Sequence, residues 1–147
     1  MAQPETTRFG KFKVLLGNGA SPEVFASPCG FTQRAFNRSK ELTDSVVPDC
    51  DDEDKPAWTG RDVRSLSASI SGSGVLAKSA LPLWEDAFEG IEPTSVKVVF
   101  VWKNDETTTY TGKMHVSSLE ISADLGDKVQ ISVSMESDGP LERTESP

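Results

Sequence analysis

The stretch from Val129 to Glu136 constrains the fold more than any other, because Val129, Ile131, Val133 and Met135 alternate without a break with Gln130, Ser132, Ser134 and Glu136. Period-two alternation places one set of side chains on each face of an extended strand, so this segment predicts a strand with one buried and one wet face. The same grammar governs Val63 to Val75, VRSLSASISGSGV, where Leu66, Ala68 and Ile70 oppose Ser65, Ser67, Ser69 and Ser71. Strands of this kind belong to antiparallel sheets, which can leave one face to solvent.

Ser95–Trp102, SVKVVFVW, differs in being apolar on both faces, with Val96, Val98, Phe100 and Trp102 on one side and Lys97, Val99 and Val101 on the other. It predicts a strand covered on both sides. Arg8–Leu16 reads as a first strand ending in the turn Gly17-Asn18-Gly19, and residues 30–47 predict one or two further strands. TTTYTGKMHVSSLEIS alternates Tyr110, Met114 and Val116 with Thr and Lys, and Gly126-Asp127 turns it into the last strand. The closing SDGPLERTESP is polar and is expected to fray.

Between Leu76 and Gly90 the period lengthens, since Leu76, Ala80, Leu83, Trp84, Ala87 and Phe88 recur at helical spacing along one stripe. Ser79 is the expected N-cap, Pro82 suits the first turn and Gly90 the C-terminal end. The elements sum to a mainly β chain, an antiparallel β-sandwich or small barrel with one short amphipathic α-helix. At 147 residues, one domain spanning 1–147 is expected, with a long acidic loop at 48–60 and a flexible tail at 137–147.

Charge and motifs narrow the function. A net charge of −8 argues against binding nucleic acid through its phosphates, which requires clustered Lys and Arg. No apolar run approaches the roughly 18 to 20 residues that cross a bilayer, and MAQPETTRFGKFK has no signal-peptide core, so a soluble protein made in a cytoplasm and not bound to a membrane is expected. Cys29 and Cys50 have no CxxC spacing and His115 no HExxH context, so no metal, cofactor or catalytic residue is assigned. The acids Asp49, Asp51, Asp52, Glu53 and Asp54 lack the spaced oxygens and central glycine of a calcium loop and predict a solvated loop. The glycines of SGSGVL lack the Lys-Ser or Lys-Thr of a phosphate loop and predict close approach of a neighbouring backbone.

Three segments, in order, carry a resemblance to a known family. VVPDCDDEDKPAW is similar to an aspartate-rich loop, VRSLSASISGSGVL with the helix ending WEDAFEG to a Ser/Gly-rich strand and helix, and YTGKMHVSSLEISADLGDKVQISVSMESDGPL to a closing hairpin of the tail tube (major tail) proteins of non-contractile, lambda-like phage tails and gene transfer agents. That resemblance implies a structural, non-enzymatic virion subunit, assembled in the bacterial host cytoplasm. Its copies form hexameric rings stacked into a tube. The implied partners are the chain itself and the tape measure, tail tip and tail terminator proteins, with DNA passing through the lumen unbound. It also implies an inter-subunit role for the loop, carried by Asp49, Asp51, Asp52, Glu53, Asp54 and Trp58. Two alternatives remain from the residues alone: a monomeric β-sandwich module binding a carbohydrate or host surface, for which Trp58 could supply an aromatic patch, and a small hydrolase, which has no pairable nucleophile and base.

Overall fold

The structure is a computed structural model that describes residues 3–17 and 25–146. A 3-10 turn, Phe9–Lys11, leads into β1 (Phe12–Gly17); then come β2 (Phe25–Ala26), β3 (Phe31–Val46) and β4 (Thr59–Val75). Helix α1 (Leu81–Glu89) precedes β5 (Thr94–Val101), β6 (Thr107–Ser122), β7 (Gln130–Ser137) and β8 (Glu142–Ser146). Every pairing is antiparallel, in the order β2-β1-β5-β6-β7-β4-β3, with β8 also on β6. The expected mainly β fold with one helix is present, and its two layers come from one open sheet rather than a closed barrel.

The long strand β6 makes this possible. Its first half pairs with β5 through Met114 and its second half with β7 from Met114 to Ser122, so it serves one layer and then the other. The layers meet where Phe36 of β3 packs on Tyr110 of β6 with ring centroids 5.2 Å apart, and where Arg34 of β3 donates from Nη1 to the Phe12 carbonyl at 2.6 Å. Arg34 also lies 4.5 Å over the Phe9 ring, and partial burial lowers its pKa from the ordinary guanidinium value.

Buried between the layers are Val14 and Leu16 of β1, Ala68 and Ile70 of β4, Val96 and Val98 of β5, Met114 and Val116 of β6, and Ile131, Val133 and Met135 of β7. The two segments of plainest alternation, β4 and β7, bury Ala68, Ile70, Ile131, Val133 and Met135 as expected but leave Leu66 and Val129 exposed, and they pair with each other from Ser69–Glu136 to Val75–Gln130. Of β5, Val96 and Val98 are buried, and Lys97, Val99 and Val101 on the other face are half-buried, as is Phe100. Gly74 illustrates the close approach expected of the SGSG glycines: a Cβ there would stand 2.6 Å from the Thr32 amide nitrogen and also collide with the Phe31 backbone.

Several expectations change. The chain from Phe9 to Lys11 forms a 3-10 turn before β1 starts, closed by the Lys11 amide donating to the Arg8 carbonyl at 2.9 Å. Asn18 and Gly19 of the expected turn lie outside the described residues. Ser79 does not cap α1; Ala80 holds that position with no side-chain cap, and the Ser79 hydroxyl instead lies 3.4 Å from the Cys29 Sγ. Gly90 ends the helix with φ −69°, so it is not chosen for a left-handed turn. The tail, expected to be flexible over 137–147, supplies β8 instead, because its backbone continues the ladder along the side of β6 that β7 leaves after Ser137. The Asp138–Leu141 turn between them uses Gly139 at φ +93°.

In α1, Trp84 is 2% exposed, Ala80 just before it is buried, and Leu76, Leu83 and Ala87 are partly buried against the core. Phe88, on the same predicted stripe, is 48% exposed. The indole Nε1 of Trp84 has no hydrogen-bond partner among the described residues, where packing holds the ring. Trp84→Ala is expected to destabilise the monomer by about 3 to 5 kcal/mol. Trp84→Phe should cost less, because it also removes a buried N–H whose desolvation is uncompensated. Chemical denaturation of the two variants against the parent checks the ranking.

Candidate assembly surface

Beyond the row Asn37–Ser69–Glu136, β3 and β4 continue with no third strand beside them among the described residues. Residues 38–46 and 59–68 form a bare two-stranded arm, on the order of 30 Å long at about 3.3 Å per residue. Such ribbons are marginal in water by themselves. Two cross-strand ion pairs steady this one, Arg61–Asp44 at 3.0 Å and Arg64–Glu41 at 3.2 Å, but both are largely exposed and contribute little.

Cross-strand partners share a face, so each side of the arm can be followed from the core outward. The core side runs from Phe36–Ile70 through Arg38–Ala68, Lys40–Leu66, Leu42–Val63 and the ion-paired Asp44–Arg61 to Val46–Thr59. With nothing over it, its apolar members stand open: Leu42 is 48% exposed, Val46 60%, Val63 54% and Leu66 70%. They form an exposed stripe continuous with the hydrophobic core. Sequence reasoning missed it, although a signal existed in Leu42, Val46 and Val63, isolated apolar positions in a polar, charged stretch on either side of the acidic loop.

The opposite face is polar. It holds Gln33, Asn37, Ser39 and Glu41 of β3, the serines of β4, Ser132, Ser134 and Glu136 of β7, and Ser118 and Glu120 of β6. His115, opposite Glu136, lies 3.0 Å from the Asp138 carboxylate. The strands contribute few cations to this face: Lys113 of β6, two residues before His115, and Arg64 at the β4 irregularity, where it pairs with Glu41.

Several sheet edges are open among the described residues, and two of them bound the β3-β4-β7-β6 layer. One is the outer edge of β3, which pairs only with β4; the other is the edge of β6 from His115 to Ser122, past the end of β5.

At the arm's tip, the connection from β3 to β4 carries Asp49, Asp51, Asp52, Glu53, Asp54 and Trp58, all exposed. The Asp51 amide donates to Asp49 Oδ1 at 2.9 Å and the Asp54 amide to Asp52 Oδ1 at 3.2 Å, local turns that order the loop without burying it. Trp58 is 95% exposed. The structure thus brings the six predicted loop residues together at the end of the arm, away from the helix residues Leu76 to Phe88. Among the described residues no group of His, Cys, Asp or Glu is arranged to hold a metal, and no helix is long and apolar enough to cross a membrane.

A phage tail tube protein family model matches residues 6–143. Among solved structures, the virion of a native gene transfer agent particle contains a chain 19% identical, with TM-score 0.70 over 95% of this chain and 99% of that one. A gene transfer agent tail refined with C6 symmetry contains one 17% identical, with TM-score 0.69 over 95% and 99%. The SPP1 tail tube protein is 14% identical, with TM-score 0.68 over 96% of this chain and 80% of that one. At such identities these likenesses show a shared fold. No curated protein sequence matches the chain.

Proposed function

This chain belongs to the phage tail tube protein family, structural components of a virion tail, and on that premise we propose that six copies close into a ring and rings stack into the tube that conducts DNA to the host cell. The observation that carries this reading is the unfinished arm. A core face that runs out of cover for the length of a two-stranded ribbon is completed when a neighbouring copy lies over it.

Ring closure follows from the sheet edges. The β3 edge of one copy and the free β6 edge of the next carry unpaired N–H and C=O groups at opposite ends of the β3-β4-β7-β6 layer. Open edges invite aggregation in a monomer, whereas a rotationally repeated contact consumes them. Six-fold closure is supported by the C6 symmetry of the similar gene transfer agent tail. The polar face of the same layer then lines the channel, its serines and its acids Glu120 and Glu136 presenting little to which phosphate could adhere. Tape measure, tail tip and tail terminator proteins would meet the lumen and the two ends, with assembly in the host cytoplasm.

In this reading the tip residues Asp49, Asp51, Asp52, Glu53, Asp54 and Trp58 contact a neighbouring copy. Deleting Asp51–Lys55 is expected to leave the monomer's thermal unfolding unchanged, because the segment is wholly exposed, and to prevent tube formation in negative-stain micrographs. Normal tubes from the deletion variant would remove the loop from the mechanism. Dispersed monomers from the intact protein, even with tip and tape measure proteins added, would remove the tube itself.

A further inference from the structure

We propose that the groove between the arm and the body is the receptor for the acidic tip of a second copy of this chain, a proposal that deepens the tube reading and rests on it. The groove has a volume of about 1320 Å³ and is lined by three cations, Arg38, Lys40 and Arg143, beside Leu66 and Tyr110, with Arg64 at its margin turned to Glu41. No carboxylate lines it, in a chain where 23 acids outnumber 15 Lys and Arg.

The cations are underused within one molecule. Arg64 pairs with Glu41, and Arg143 reaches Glu145 only at 3.9 Å. Arg38 and Lys40 have no acidic partner among the described residues. Arg38 lies 5.4 Å over the Phe36 ring and 4.9 Å over Tyr110, which fixes its guanidinium plane and leaves its N–H edge available to a carboxylate.

The tip presents the complement: five carboxylates in six residues, Asp49 to Asp54, exposed and without an ion pair among the described residues. A chain cannot satisfy itself, because extended β3 carries the tip away from the groove by about 20 Å between Lys40 and Val46. The contact is therefore head-to-tail, each copy offering one tip and one groove, the kind of interface that propagates.

Charge exchange tests the pairing directly. Arg38→Glu with Lys40→Glu, and separately Asp51→Lys with Asp52→Lys and Glu53→Lys, should each raise the concentration needed for tube formation at least about tenfold while leaving monomer unfolding unchanged. An equimolar mixture of the two variants should form tubes, since each then finds a complementary surface on the other. A peptide of residues 47–58 with Cys50→Ser should also bind the wild-type monomer saturably below its polymerisation concentration, and not bind the Arg38→Glu, Lys40→Glu variant. The groove assignment is overturned if that variant polymerises like wild type, or if the mixture stays dispersed and the peptide does not bind. It is equally overturned if assembly is rescued instead by reversing Asp124 and Asp127 in the β6–β7 turn. A wild-type chain that never polymerises would refute the tube, and the peptide would still decide the groove.

Discussion

Replacing Leu66 and Val63 together by Asp is expected to abolish tube formation and to leave the monomer's unfolding midpoint where it was. Both halves of that result come from the same numbers. Leu66 is 70% exposed and Val63 54% in the isolated chain, so an aspartate at either position remains hydrated and the monomer loses almost no buried area. In the proposed tube a neighbouring copy covers these residues. Each substitution then forfeits about 1.5 to 3 kcal/mol of apolar burial, and each also carries into the interface a carboxylate whose desolvation costs several kcal/mol more.

A ring repeats that loss at each of its contacts, so the critical concentration moves beyond any practical range. Analytical ultracentrifugation with negative-stain microscopy reads assembly, and thermal denaturation of dilute protein reads the fold. If tubes form normally, the stripe is not an interface. If the monomer unfolds, the stripe belongs to the core of a single molecule, and the premise of an unfinished arm is lost.

The arm also marks where the sequence stops being legible. In β7 the alternation of Ile131, Val133 and Met135 identifies both the strand and its buried face, because β4 and β6 flank it and α1 closes the layer above. Leu66 alternates with serine in the same way as Ala68 and Ile70, yet it is open to solvent while they are buried. Periodicity states which side chains share a face; it does not state whether the chain supplies anything to cover that face. Cover depends on where β7 ends, a property of a strand more than 60 residues away in sequence. The tail shows the converse. β8 is held to β6 by main-chain bonds with the side chains of Glu142 to Glu145 exposed, and such pairing imprints no hydrophobic pattern that could be recognised in PLERTES. The acidic loop was legible because composition alone exposes it. Its counterpart, the cationic groove, was not, since Arg38, Lys40 and Arg143 come from two distant strands that only the folded sheet sets side by side.

Charge on the polar face offers the second large effect. Glu120→Lys with Glu136→Lys should give chains that fold and still form tubes, because both positions are exposed and lie on the face opposite the stripe and the groove. What changes is the lining. Each chain would exchange two carboxylates for two ammonium groups on a surface whose other strand residues are largely serine, and six-fold repetition turns those into a basic ring. Nearly every phosphate neutralised by such a ring releases counterions, which lowers the logarithm of affinity by about 0.9 per logarithm of salt for duplex DNA. Wild-type tubes are expected to retain no DNA at 50 mM salt. Variant tubes should hold it there and release it steeply as salt rises, a dependence that separates phosphate binding from physical trapping. Equal retention by both kinds of tube would place Glu120 and Glu136 away from the channel, and the polar face would then be the outside of the tube.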